Sequence, residues 1–155
     1  MIVVLLAIIV VLAFLVLKNS LPGTPFSTPY PLIDGSVSSL ASEGMNVTQG
    51  STLQVNVTLT SFADQKLTVP IENLTLAGFN NKAWDNSLSQ NELFNYTFSN
   101  NELILQPYET NSVVLTLKVA EDAPLVQYLF YVELGNWEVT HFGGIGLTLR
   151  VTPKL

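Results

Sequence analysis

In residues 51–60, STLQVNVTLT, polar and apolar side chains alternate without a break from Thr52 onward. Leu53, Val55, Val57 and Leu59 fall on one side of an extended chain; Thr52, Gln54, Asn56, Thr58 and Thr60 fall on the other. Successive side chains of a strand point to opposite faces, so the stretch predicts a strand with one buried and one solvated face.

The same period recurs on the C-terminal side. KLTVPIE (66–72) aligns Leu67, Val69 and Ile71, with Pro70 outward, which predicts an edge strand. FNYTF (94–98) aligns Phe94, Tyr96 and Phe98, and SVVLTLKV (112–119) aligns Val113, Leu115, Leu117 and Val119. VQYLFYVEL (126–134) aligns Val126, Tyr128, Phe130, Val132 and Leu134, and its other face (Leu129, Tyr131) is also partly apolar, as for a central strand. IGLTLRV (145–151) aligns Ile145, Leu147, Leu149 and Val151. Gly135-Asn136 predicts a two-residue hairpin turn, and Gly143-Gly144 a bulge or kink. One short helix is expected within AWDNSLSQNELF (83–94), capped by Asp85 or Ser87. About seven strands separated by turn signals make this an all-β chain, an immunoglobulin-like antiparallel sandwich over residues 36–155.

The N-terminal side has a different character. Ile2 to Leu17 are sixteen consecutive apolar residues, fourteen of them Ile, Val, Leu or Phe. A helix over this run would be about 25 Å long, close to the ~30 Å hydrocarbon layer of a bilayer. It has no polar face, no preceding Lys or Arg and no small-residue cleavage pair, so residues 1–18 are expected to be an uncleaved transmembrane helix rather than a signal peptide. Residues 19–35, NSLPGTPFSTPYPLIDG, carry Pro22, Pro25, Pro29 and Pro31 and are expected to be an extended, semi-rigid tether.

Four Asn-X-Thr triplets lie after the apolar run: Asn46-Val47-Thr48, Asn56-Val57-Thr58, Asn73-Leu74-Thr75 and Asn95-Tyr96-Thr97. The outer face of a strand collects Asn and Thr at alternate positions, so parity alone produces some such triplets. The same parity turns Asn56 and Asn95 outward, where an N-linked glycan would leave the core undisturbed. Lys18 favours a cytoplasmic C-terminal side, whereas the four acceptor triplets favour an extracellular one, and the latter orientation is the expectation here. Asn73 lies where the alternation changes register.

VTQGSTLQVNVTLTS (47–61) and LQPYETNSVVLTLKVAEDAPLVQYLFYV (105–132) resemble the immunoglobulin-like modules common on archaeal and some bacterial surface proteins. The resemblance runs through Gln49-Gly50-Ser51 before one strand, Leu105-Gln106-Pro107 before another, and Asp122-Ala123-Pro124 before the strand carrying Tyr128. Tyr108 and Val126 stand where that family commonly has Gly. The resemblance implies a structural or adhesive module of a microbial, chiefly archaeal, cell envelope. It carries no reaction.

Composition excludes several functions. The net charge is −6 with no run of Lys or Arg, so nothing here displaces phosphate counterions and nucleic acid is not an expected partner. With no cysteine there is no disulfide and no thiol nucleophile, and His141 as the only histidine leaves a His-based metal centre without a second nitrogen. No strained nucleophile turn accompanies His141, which is expected to be a hydrogen-bonded histidine at a sheet rim. Asp64, Asp85, Glu121 and Asp122 lack calcium-loop spacing, and Glu121-Asp122 are expected to shape a turn. No metal, cofactor or catalytic residue is expected. Trp84, among Asn80, Asn81 and Asn86, and Trp137 are candidates for stacking on a ligand such as a sugar; the plainer alternative is that they close an end of the sandwich.

The expected protein is therefore a single-pass cell-membrane protein with an extracellular C-terminal domain, non-enzymatic and N-glycosylated, serving envelope structure or adhesion. Its expected partners are lipid through residues 2–17, N-linked glycans, and other envelope proteins or copies of itself. The alternatives are a filament subunit packing through its apolar N-terminus, a carbohydrate-binding ectodomain, and an accessory single-span subunit of a membrane complex.

Overall fold

The computed structural model describes residues 31–37, 45–80, 82–83 and 90–154. Among them, ten strands build two facing sheets. β1 (Ile33–Val37), β3 (Thr52–Ser61), β8 (Thr110–Val119) and β6 (Phe94–Phe98) form one sheet in that order. β2 (Met45–Thr48), β10 (Gly144–Thr152), β9 (Gln127–Leu134), β4 (Leu67–Phe79) and β5 (Lys82–Ala83) form the other, with β7 (Glu102–Leu105) beside the start of β4. Two single-turn helices, α1 (Gln90–Leu93) and α2 (Trp137–Thr140), complete the set.

Taking β1, β3, β4, β6, β8, β9 and β10 as strands A to G yields the A-B-E-D and C-F-G sheets of an immunoglobulin-like sandwich. The strands that no stretch of the sequence marked are β1, β2, β5 and β7, each of two to five residues and too short to show a period. All pairings are antiparallel except β2 with β10, which is parallel. The chain thus enters beside β3 in one sheet and, after residues 38–44, joins the edge of the other.

The alternation of residues 51–60 is realised in β3: Val55, Val57 and Leu59 are buried, and Thr52, Gln54 and Asn56 exposed. Val113, Leu115, Leu117 and Val119 meet them from β8; Tyr128, Phe130, Val132 and Leu134 of β9, with Ile145, Leu147, Leu149 and Val151 of β10, fill the core from the opposite sheet. Phe94 stands between the sheets, its ring centroid 4.8 Å from that of Tyr128 and 4.9 Å from that of Phe130, both edge-on. Such contacts add to the burial of large rings. Tyr128 is 1% exposed, and its hydroxyl donates to the Pro124 carbonyl at 3.1 Å. A tyrosine at the start of strand F bonding back to the E–F connection is the tyrosine corner of this fold. Desolvation pushes its phenol up to about 12.

Several expectations are corrected. The tether expected over 19–35 gives way to the sandwich at its C-terminal end, because Ile33–Gly35 belong to β1 and Leu32 and Ile33 are buried. Gly135-Asn136 is not a two-residue hairpin turn: nine residues join β9 to β10, and Trp137–Thr140 form α2 instead of continuing a strand. Asn136 (φ 64) and His141 (φ 53) adopt left-handed conformations at the two ends of that turn, and the His141 N–H closes it on the Trp137 carbonyl. No bulge occurs at Gly143-Gly144, since β10 keeps register with β9 from Gly144↔Glu133 to Arg150↔Gln127. Close approach explains the second glycine, where a Cβ would collide with the Val132 carbonyl oxygen. β4 is not a bare edge strand, since β9 lies on one side while β5 and β7 flank the other.

Among the described residues no helix is long and apolar enough to cross a membrane. The segment 1–18, expected to be such a helix, and residues 19–30 of the tether lie outside the described residues.

Candidate functional site

The four acceptor asparagines are all exposed. Asn56 of β3 lies opposite Val114 and Asn95 of β6 opposite Lys118, both on the outer face of the first sheet. Asn46 of β2 lies opposite Arg150 and Asn73 of β4 opposite Glu133, on the outer face of the second. The register irregularity between Ile71 and Asn73 makes Glu72 and Asn73 both exposed, while Leu74 returns to the core. The change of register visible in the sequence is therefore a bulge that leaves Asn73 facing outward. Around these asparagines the surface is built of hydroxyls and amides: Thr60 and Thr110 share a hydrogen bond of 2.9 Å, Gln54 donates to Thr116 at 3.3 Å, and the Thr75 hydroxyl donates to Glu133 Oε1 at 2.6 Å.

Trp84, the first stacking candidate, lies outside the described residues. Trp137 opens α2, is 54% exposed, and meets the His141 ring edge-on with centroids 6.1 Å apart. It lies at the end of the sandwich where the described chain begins. There the Leu32 N–H donates to the Thr140 carbonyl and the Leu32 carbonyl accepts from the Phe62 N–H, so two connections meet the incoming chain at one residue. The neighbouring β7–β8 turn presents Tyr108 with φ 58 and 69% exposure, at the position where the resembled family commonly has Gly.

At the far end, the Gln49-Gly50-Ser51 turn closes through the Ser51 N–H to the Thr48 carbonyl, with Gly50 at φ 70. Gln49 Nε2 reaches the Ala123 carbonyl at 2.7 Å, tying this turn to the one at Glu121-Asp122. Glu121 pairs with Lys154 at 3.1 Å, both largely exposed, a pairing of small energetic weight. Asp85 lies outside the described residues, and among those described no three His, Cys, Asp or Glu side chains gather as metal ligands would.

One residue went unnoticed in the sequence. Gln90 of α1 accepts the Leu76 N–H at Oε1 and donates from Nε2 to the Leu74 carbonyl, both at 2.7 Å. Its amide thus binds β4 as one residue of a parallel strand would. The site falls between the stretches covered by β7 and β5, where β4 would otherwise present unpaired backbone groups. No periodicity reports a side chain that stands in for backbone.

No family model matches the chain, and no curated protein does. Among solved structures, a family 123 glycoside hydrolase from Clostridium perfringens superposes with a TM-score of 0.52 at 13% identity, over 79% of this chain and 28% of that one. This chain thus spans little more than a quarter of that enzyme, and the likeness shows a shared fold alone. A FixG-related protein from Vibrio parahaemolyticus (TM-score 0.48, 14% identity, 80% of this chain and 98% of that one) is a looser match. So are domains 4 and 5 of the S-layer protein SbsC (TM-score 0.42, 15% identity, 77% and 54%).

Proposed function

We propose that the chain is a non-enzymatic surface protein of a microbial cell envelope, anchored in the membrane by residues 2–17. In this reading the sandwich faces outward, carries glycans on Asn46, Asn56, Asn73 and Asn95, and serves envelope structure or adhesion through other envelope proteins or further copies of itself. The observation that carries the reading is the exposure of all four acceptor asparagines, two on each outer face of the sandwich and all on one side of the apolar run. The hydroxyl- and amide-rich faces, in a chain only 12% charged against about 25% in an average soluble domain, support it.

Carbonate extraction of membranes combined with glycosidase treatment tests both halves. The chain is expected to stay in the membrane pellet and to shift in mass on deglycosylation, with single Asn→Gln changes each removing one step. A soluble chain with an unshifted band would overturn the proposal.

The exposure of Trp137 favours carbohydrate binding as a second reading. Binding on a glycan array that is lost in Trp137→Ala would replace adhesion through protein contacts with adhesion through sugars.

A further inference from the structure

We infer that the end of the sandwich formed by Phe62, Tyr108, Trp137 and Val139 rests on the lipid headgroup layer of the membrane that holds residues 2–17. The inference rests on the anchoring proposed above.

Among the described residues, eight large apolar side chains are exposed, and these four sit on the three connections at one end of the sandwich. It is the end at which the chain arrives from the apolar run: Leu32 bonds both Thr140, at the close of α2, and Phe62. Between Leu17 and Leu32 lie fourteen residues, which reach about 43 Å when extended. That length permits contact with the membrane without enforcing it. The chemistry of the surface decides the matter. Trp and Tyr concentrate at membrane–water interfaces because an apolar ring and a polar tip are both satisfied at headgroup depth.

Tyr108 adds an independent sign. It holds a left-handed backbone that glycine would adopt without strain, yet it is the most exposed of the eight. Strain of this kind persists where the side chain has a task. The charged neighbours define the lipid. Asp64, Glu109 and Glu138 lie one on each of these three connections, against a single cation on them, Lys66, so a zwitterionic headgroup layer fits and a strongly anionic one is repelled.

The absence of native cysteine allows a direct test. Full-length chains with one cysteine each, at Val10→Cys, Tyr108→Cys, Glu138→Cys or Leu125→Cys, are labelled with a polarity-sensitive fluorophore and reconstituted in phosphatidylcholine vesicles. Glu138→Cys keeps all four apolar side chains, and Leu125, exposed at the far end, is the reference. Labels at 108 and 138 are expected to be several-fold less accessible to aqueous iodide than the label at 125, and to be quenched by headgroup spin-labelled lipid. Equal accessibility at 108, 138 and 125 with a shielded label at 10 overturns this inference and leaves the anchor standing. Shielding at 108 and 138 without headgroup quenching also overturns it, in favour of a contact between copies. A label at 10 open to iodide removes the anchor and this inference together.

Discussion

Replacing Tyr128 by Phe separates packing from hydrogen bonding at the core of this fold. The ring keeps its place against Phe94 and Phe130, and only the hydroxyl is lost. Its bond to the Pro124 carbonyl, which also accepts the Val126 N–H, is worth about 1 kcal/mol net near pH 7. The pH dependence carries a second, independent signature. Burial raises the phenol from 10.0 to about 12 in the folded chain. The neutral phenol is thus favoured on folding, its contribution is complete below pH 10, and it is lost as pH rises toward 12. At about pH 11 the unfolded tyrosine is mostly ionised and the folded one is not, which amounts to about 1.4 kcal/mol if nothing screens it. Pro124, whose carbonyl accepts this hydroxyl, is only half-buried, so roughly half of that, about 0.7 kcal/mol, is the expected loss. Urea unfolding of the full chain in mild detergent should show Tyr128→Phe about 1 kcal/mol less stable near pH 7, with the gap narrowing to about 0.3 kcal/mol near pH 11. A gap that stays constant with pH, or no gap near pH 7, would refute the role given to the corner.

Three further outcomes follow from the same packing. Phe94→Ala empties the space between the sheets where three rings meet, and should cost about 3–5 kcal/mol in urea unfolding. Gln90→Ala leaves the Leu76 N–H and the Leu74 carbonyl without their partner, which should cost about 1–3 kcal/mol and raise concentration-dependent self-association seen by analytical ultracentrifugation. Tyr108→Gly relieves a left-handed backbone but gains chain entropy when unfolded, so stability should rise slightly, by about 0.5 kcal/mol in the same unfolding assay.

The long strands were legible because each has one inward face, and a two-residue period marks it: the residues that the alternation selects in β3, β8, β9 and β10 are buried in the core or, like Leu53, packed against it. Phe94, Tyr96 and Phe98 likewise turn inward as expected, with Asn95 and Thr97 outward. Where the period had no room to repeat, the reading failed. In β1, IDGSV offers Ile33 and little else, and Gly35 belongs there because a side chain would run into Leu59 and Ile145. α2 is a single turn whose Trp137, Val139 and His141 mimic strand parity, while its closure depends on two left-handed residues that periodicity does not sense. The outward facing of Asn56 and Asn95 was legible through parity alone. The convergence of Phe62, Tyr108 and Trp137 was not, because connections far apart in the chain meet only once the strands have been ordered.

The parallel pairing of β2 with β10 has a mechanical consequence. Leu149 to Thr152 run beside Met45 to Thr48 in the same direction. A pull that enters before Met45 and leaves after Thr152 therefore draws the two strands lengthwise past each other. Every cross-link between them is loaded at once, instead of parting one after another as in a peeled hairpin. A domain strung between an anchor and a load would, once β1 had parted from β3, hold through this short clamp and yield abruptly when it slips.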